Sequence, residues 1–183
     1  PAMFAGAGRV LEQAGPAHGM KAYVLDDTAL VKQGSHSVGV ANQYAGCLGG
    51  LANCQAIVTL AMTGDVVHTF VGMELFMPEA WFDDDHAKLR DECRVPAKLV
   101  HRTKQYIGIG MLLAALNSDL PKLPLLMDSA YGDDAALRAQ LRRNDLEYVA
   151  MVSSTKFFPI DTCFEPAPTK SKGATGRPST RLR

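Results

Sequence analysis

Three aspartates in this chain stand where an apolar run gives way to polar residues. Tyr23, Val24 and Leu25 are followed directly by Asp26 and Asp27, and then by Thr28. Leu123 to Met127 is followed by Asp128. A short apolar run bounded by polar residues reads as a buried strand. A buried, unpaired carboxylate is costly, so acids in such places belong at a strand's end, on the lip of a cleft. Two strands that each deliver an aspartate suggest a divalent-metal site. Hard oxygen donors suit magnesium, which keeps several waters and needs few carboxylates. The competing reading is plainer: an aspartate after an apolar run also serves as a turn or capping residue. Asp26 stays open as the alternative to Asp27, because alternation along a strand lets only one of the pair face a given side.

The rest of the pattern supplies the scaffold for these acids. After Gly34 comes a long, exposed loop rich in Gly, Ser and Asn, with a short extended piece at Ser37 to Tyr44. Cys54 to Met62 and Val66 to Leu75 are β-like runs, and Thr63-Gly64-Asp65 between them has the turn chemistry of a hairpin. Pro78 to Pro96 is charged and proline-bounded, and is expected to be a surface excursion with a short helical turn. Ala97 to Ser118 predicts a helix, weakened by Gly108 and Gly110 at about 1 kcal/mol each relative to alanine. Leu123 to Met127 is the second acid-tipped strand, Asp133 to Arg143 a helix started by Gly132 and Asp133, and Leu146 to Val152 a last strand.

The order is three antiparallel strands, then helix, strand, helix and strand. It resembles the α/β, mixed-sheet arrangement of the RNase H-like fold, in which the first and fourth strands lie side by side. Asp27 and Asp128 would then converge although the sequence holds them far apart. The chain divides accordingly: residues 1–20 form an N-terminal remnant or linker, with a short helix at Arg9 to Gln13. Residues 21–156 form the core, and residues 157–183 a basic, Pro/Gly-rich tail or the start of an insertion.

Bulk properties bound the rest. At 183 residues and 47% hydrophobic, the chain can bury one sizeable core. Basic and acidic residues balance, 19 against 19, so net charge points to no partner. Lys170, Lys172, Arg177, Arg181 and Arg183 nevertheless concentrate positive charge in the tail. No apolar run reaches the roughly 18 residues a membrane span needs, and no basic segment precedes an apolar one as in a signal peptide. The chain opens on proline, so its front end is expected to be missing. Cys47, Cys54, Cys93 and Cys163 show no CxxC spacing, which favours free thiols in a reducing cytoplasm over a zinc site.

The segments LDDTALVKQGSHSVGVANQY, GLANCQAIVTLAM, LPLLMDSAYGDDAALRAQL and LEYVAMVSST together resemble DDE transposases of bacterial insertion sequences. GRPSTRLR is similar to the segment after the fifth strand in that group. The likeness runs from about Lys21 to the C-terminus. It implies an endonuclease for DNA recombination and transposition, performing magnesium-dependent phosphodiester hydrolysis and strand transfer at transposon ends, with manganese as a substitute. Two metal ions about 3.5–4 Å apart would activate the attacking water or hydroxyl and stabilise the leaving oxygen. The resemblance gives Asp27 and Asp128 the metals, and implies DNA as partner and a homodimer on it. The family's third acid is a glutamate in a pattern resembling Trp-Arg-Ile-Glu, and no such pattern occurs between Val152 and Arg183. The C-terminal part of the domain is therefore expected to be missing, with the chain ending where the family's insertion begins.

Lys32, Arg102, Lys104 and Arg177 are the cations placed to meet DNA phosphates, contacts that position a duplex without reading it. A solvated helix face accounts for Arg102 and Lys104 as well, and a flexible basic linker for Gly176-Arg177-Pro178. Thr28 and Ser129 could orient the carboxylates, or act as ordinary turn hydroxyls. His36 and His101 read as structural or exposed, and Asp83 to Asp85 with His86 as a solvated loop. Two rivals remain: an inactive DNA-binding or regulatory transposase remnant, and a haloacid-dehalogenase-like phosphohydrolase. The second would need an all-parallel sheet and another acid two residues after the first.

Overall fold

The computed structural model describes residues 19–118 and 120–156, together with Gly6 and the short pieces Phe164–Glu165 and Arg181–Leu182. The expected helix at Arg9 to Gln13, Arg177 and Cys163 lie outside the described residues. Two compact units are present, Pro1–Val152 and Ser153–Arg183.

In the first unit, β1 (Met20–Val31) has neighbours on both sides. Along one flank runs β3 (Gly50–Gly64), antiparallel, with Leu25 opposite Leu60 and Asp27 opposite Val58. Along the other lies β5 (Leu125–Met127), parallel, pairing Tyr23 with Leu125 and Leu25 with Met127; β6 (Tyr148–Ala150) continues the sheet, parallel to β5. The far edge of β3 is shared end to end. β4 (His68–Phe76) takes the stretch Ala56 to Thr63, and β2 (Ala41–Ala45) takes Gly50 to Cys54. The result is a six-stranded mixed sheet, antiparallel among its first four strands and parallel beyond β1. This is the RNase H-like arrangement predicted from the sequence. The antiparallel β1–β3 and β3–β4 pairs exclude the all-parallel sheet of the haloacid-dehalogenase reading.

The core explains the order. Tyr23 and Leu25 of β1, Val58, Leu60 and Met62 of β3, and Leu125 and Met127 of β5 are all buried on one face. Helix α2 (Lys104–Leu116) lies against β3 and β4 with Ile107, Ile109, Met111, Leu112 and Ala115 buried. It follows the shorter α1 (Ala87–Glu92). Gly108 lets α2 close on the sheet: a Cβ there would stand 2.6 Å from Leu25 Cδ2. The helix begins at Lys104, later than the apolar pattern predicts. Thr103 is extended and its hydroxyl accepts the Tyr106 N–H at 3.2 Å, so the cap sits there rather than near Ala97.

Two other expectations are corrected. Instead of one helix from Asp133, a single turn α3 (Ser129–Gly132) precedes α4 (Ala135–Arg143), and Asp134 caps α4 by accepting the Leu137 N–H at 2.7 Å. The stretch from Pro78 to Pro96 is not wholly superficial. Trp81 is 1% exposed, packs with Val40 and Met77, and donates its indole N–H to the Val40 carbonyl at 2.8 Å. A bulky aromatic outweighs the charges around it, because its apolar area exceeds that of any neighbour in the segment.

Candidate functional site

The acids of β1 do not end the strand, as the sequence suggested; β1 runs on past them to Val31. They are accessible because β5 stops. The last β1–β5 pair is Leu25 with Met127, so from Asp26 onward β1 is flanked by β3 alone. Asp128 is the first residue past that pair on β5. The three acids therefore gather where the two parallel strands part company.

Alternation separates the neighbours. Asp27 lies opposite Val58 and shares the helix-covered face with Tyr23 and Leu25, whereas Asp26 lies opposite Thr59 on the other face. Asp27 is half-buried, its side chain 17% exposed. Its Oδ2 accepts from the Lys104 ammonium at 2.7 Å, and its Oδ1 from the Tyr131 hydroxyl at 3.2 Å. Tyr131 is fully buried. Burial, and then the negative charge of Asp27, push its phenol far above the usual tyrosine range, so it remains a donor. Thr28, opposite Ile57, turns to the face away from Asp27 and cannot orient it.

Asp128 is exposed and caps α3, its Oδ1 accepting from the N–H groups of Ala130 at 3.0 Å and Tyr131 at 3.4 Å. The capping role foreseen for such an aspartate is thus realised, and it fixes the carboxylate. Asp26 accepts the Asp27 N–H at 2.7 Å. Its carboxyl is raised above the usual range by partial desolvation first, with the charges of Asp128 and Asp27 adding to it. Asp26 thus feels the charges of both other carboxylates where β1 and β5 part.

Sequence reasoning placed Lys104 and Arg102 toward DNA. Here both side chains are turned inward: Lys104 pairs with Asp27, and Arg102 with Glu74. Glu74 lies opposite Val58, which lies opposite Asp27, so one cross-strand row carries two acids and the entry to α2 supplies a cation for each. Lys32 follows β1 with its side chain half-buried. His36 is exposed, and His101 lies within 3.0 Å of the Met77 carbonyl between the ring edges of Phe76 and Phe82. The two partners of Asp27 were missed. Nothing in their spacing marks them, since Lys104 is 77 and Tyr131 is 104 positions away.

The sequence profile described as DDE superfamily endonuclease matches residues 6–183. The chain belongs to this family. No curated protein and no solved structure matches it. Membership makes this a domain of nuclease or transposase type, from a superfamily that acts on DNA and generally uses divalent metals. The DDE chemistry fits the donors beside the end of β5 in kind: Asp27 and Asp128 offer hard oxygens, and Asp27 already holds a positive charge in the Lys104 ammonium. Among the described residues no three acidic, histidine or cysteine side chains form a metal-holding group. No helix among them is long and apolar enough to cross a membrane.

Proposed function

We propose that this DDE-family chain carries the catalytic core of a DNA transposase of bacterial insertion sequences. Its reaction would be magnesium-dependent phosphodiester hydrolysis and strand transfer at transposon ends. The observation that carries the reading is the gathering of Asp27 and Asp128 where β1 and β5 diverge. Asp27 and Asp128 would hold Mg²⁺, or Mn²⁺ in its place, with Asp27 preferred to Asp26 because it shares the face of Tyr131 and α2. The metal supplies an activated water and charge stabilisation of the leaving oxygen. The chain's own part is positioning: the Tyr131 phenol fixes one oxygen of Asp27, and the α3 amides fix Asp128. Lys32 and Arg177 are assigned to DNA phosphates, in a homodimer on paired transposon ends, working in the cytoplasm.

Nicking of supercoiled DNA in Mg²⁺ tests this. The parent chain should cut, and Asp27→Ala and Asp128→Ala should each lower the rate by at least about a hundredfold while remaining folded by circular dichroism. A second reading is favoured by the lack of a three-acid group among the described residues: a DNA-binding remnant that holds DNA without cutting it. Salt-sensitive binding with no nicking by the parent would support that remnant instead.

A further inference from the structure

Lys104 occupies a position that its own helix disfavours. It is the first residue of α2, where the unpaired amides present positive charge and an ammonium is repelled rather than welcomed. Its side chain is nonetheless held from two sides. The ammonium is 2.7 Å from Asp27 Oδ2 and 5.4 Å from the centre of the Phe76 ring, and only 24% of the side chain is exposed. Phe76 and Asp27 lie on the same face of the sheet, so the lysine bridges β1 and β4 above Val58.

We propose that Lys104 is a resident counter-ion for Asp27, filling the cation position in the metal-free protein and giving it up when a divalent ion binds. This rests on the reading of Asp27 as a metal ligand. The exclusion is geometric. Magnesium sits about 2.0–2.1 Å from a carboxylate oxygen, and the ammonium already lies 2.7 Å from Oδ2. Both on one oxygen would crowd two cations within about 4 Å, a strong repulsion in a partly desolvated setting. Oδ1 is the more crowded alternative, because the buried Tyr131 hydroxyl already takes one of its lone pairs. The lysine stem is long and flexible enough to swing its charge outward, where a DNA phosphate approaching the same acids would receive it. Lys104 thereby links loading of the metal to arrival of the DNA. Arg102 differs, since its acid Glu74 lies on β4, with β3 and β1 between it and the strand that leads to Asp128.

Manganese binding to the whole chain, read by electron paramagnetic resonance and calorimetry without DNA, tests the inference. Lys104→Met should bind Mn²⁺ about tenfold more tightly than the parent, through loss of the competing charge. Its melting temperature should also rise more on adding Mn²⁺, and Asp27→Ala should abolish the gain in the double variant. If Lys104→Met does not fold, Lys104→Gln gives the same comparison with a shorter, polar and neutral side chain. Binding by the parent that depends on Asp27, with no tightening on removal of the lysine charge, overturns the counter-ion role and leaves the metal reading standing. If neither the parent nor a lysine variant binds Mn²⁺, the metal reading of Asp27 fails and the counter-ion role falls with it.

Discussion

Tyr23 and Tyr131 are two fully buried phenols of the sheet–helix interface, and each keeps one polar contact. Tyr131 donates to Asp27, and Tyr23 donates to the Pro121 carbonyl at 3.0 Å. Burial pushes the Tyr23 phenol up to about 12. An acid whose folded pKa lies above its unfolded value of about 10 costs nothing below that pH. Between about pH 10 and 12 the unfolded chain ionises first, so stability falls as pH rises through that window. Tyr23→Phe should therefore be less stable than the parent at pH 7 by about 1 kcal/mol, the net worth of the hydrogen bond. As pH approaches about 12 the order should reverse, because the variant escapes an alkaline loss of roughly 2–3 kcal/mol. Urea midpoints measured across that range decide it, and a variant that trails the parent at every pH would show that Tyr23 carries no such shift.

At the scale of the element, glycines that look alike in sequence have opposite parts. Gly108 and Gly110 both lower helix propensity, yet only Gly108 is covered. Gly110 is exposed with nothing within 4 Å of an added Cβ, so Gly110→Ala should stabilise by about 1 kcal/mol. Gly108→Ala would drive a methyl into the buried Leu25 and should lose stability by about 1 kcal/mol or more despite the better propensity. Thermal midpoints that move in the same direction for both would contradict this packing of α2. Gly132 is tighter still: its Cβ would lie 1.9 Å from the Met151 carbonyl oxygen. Backbone cannot yield as a side chain does, so Gly132→Ala should cost about 3 kcal/mol in chemical denaturation. It should also weaken Asp27-dependent metal binding, since the same turn carries Tyr131.

Across the first unit, two clusters of buried side chains meet through β4. Leu75 packs on the cluster of Val40, Met77 and Trp81, while the adjacent Phe76 packs on the main core. Neighbouring residues of one strand face opposite sides, so loss of β4 dissolves both clusters together. Trp81 is the only tryptophan of the chain, and its fluorescence reports the smaller cluster alone. Unfolding followed by that fluorescence and by far-ultraviolet circular dichroism should give coincident transitions. A tryptophan signal lost well before the circular dichroism would mean that the excursion around Trp81 melts separately.

The RNase H-like class, the family, and the two places where apolar runs meet acids were legible in the amino-acid sequence. Those features are local, written in periodicity, turn residues and short motifs, and local signals survive without knowledge of the fold. By contrast, β2 read only as a short extended piece of a loop, and three antiparallel strands were expected where four form. Sequence reading misjudged whatever depends on position in space. Asp26 and Asp27 looked like a strand's end because exposure was read as termination, whereas β1 continues and it is β5 that stops. Helix α2 looked longer because apolar residues such as Val100 extend the pattern beyond the Thr103 cap. Trp81 looked superficial because its segment is charged, although Val40, 41 positions earlier, supplies its carbonyl partner. The closing of Lys104 and Tyr131 on Asp27 emerged only in three dimensions. Pairing across the sheet depends on register and on the approach of α2 and α3, neither of which leaves a mark in sequence spacing.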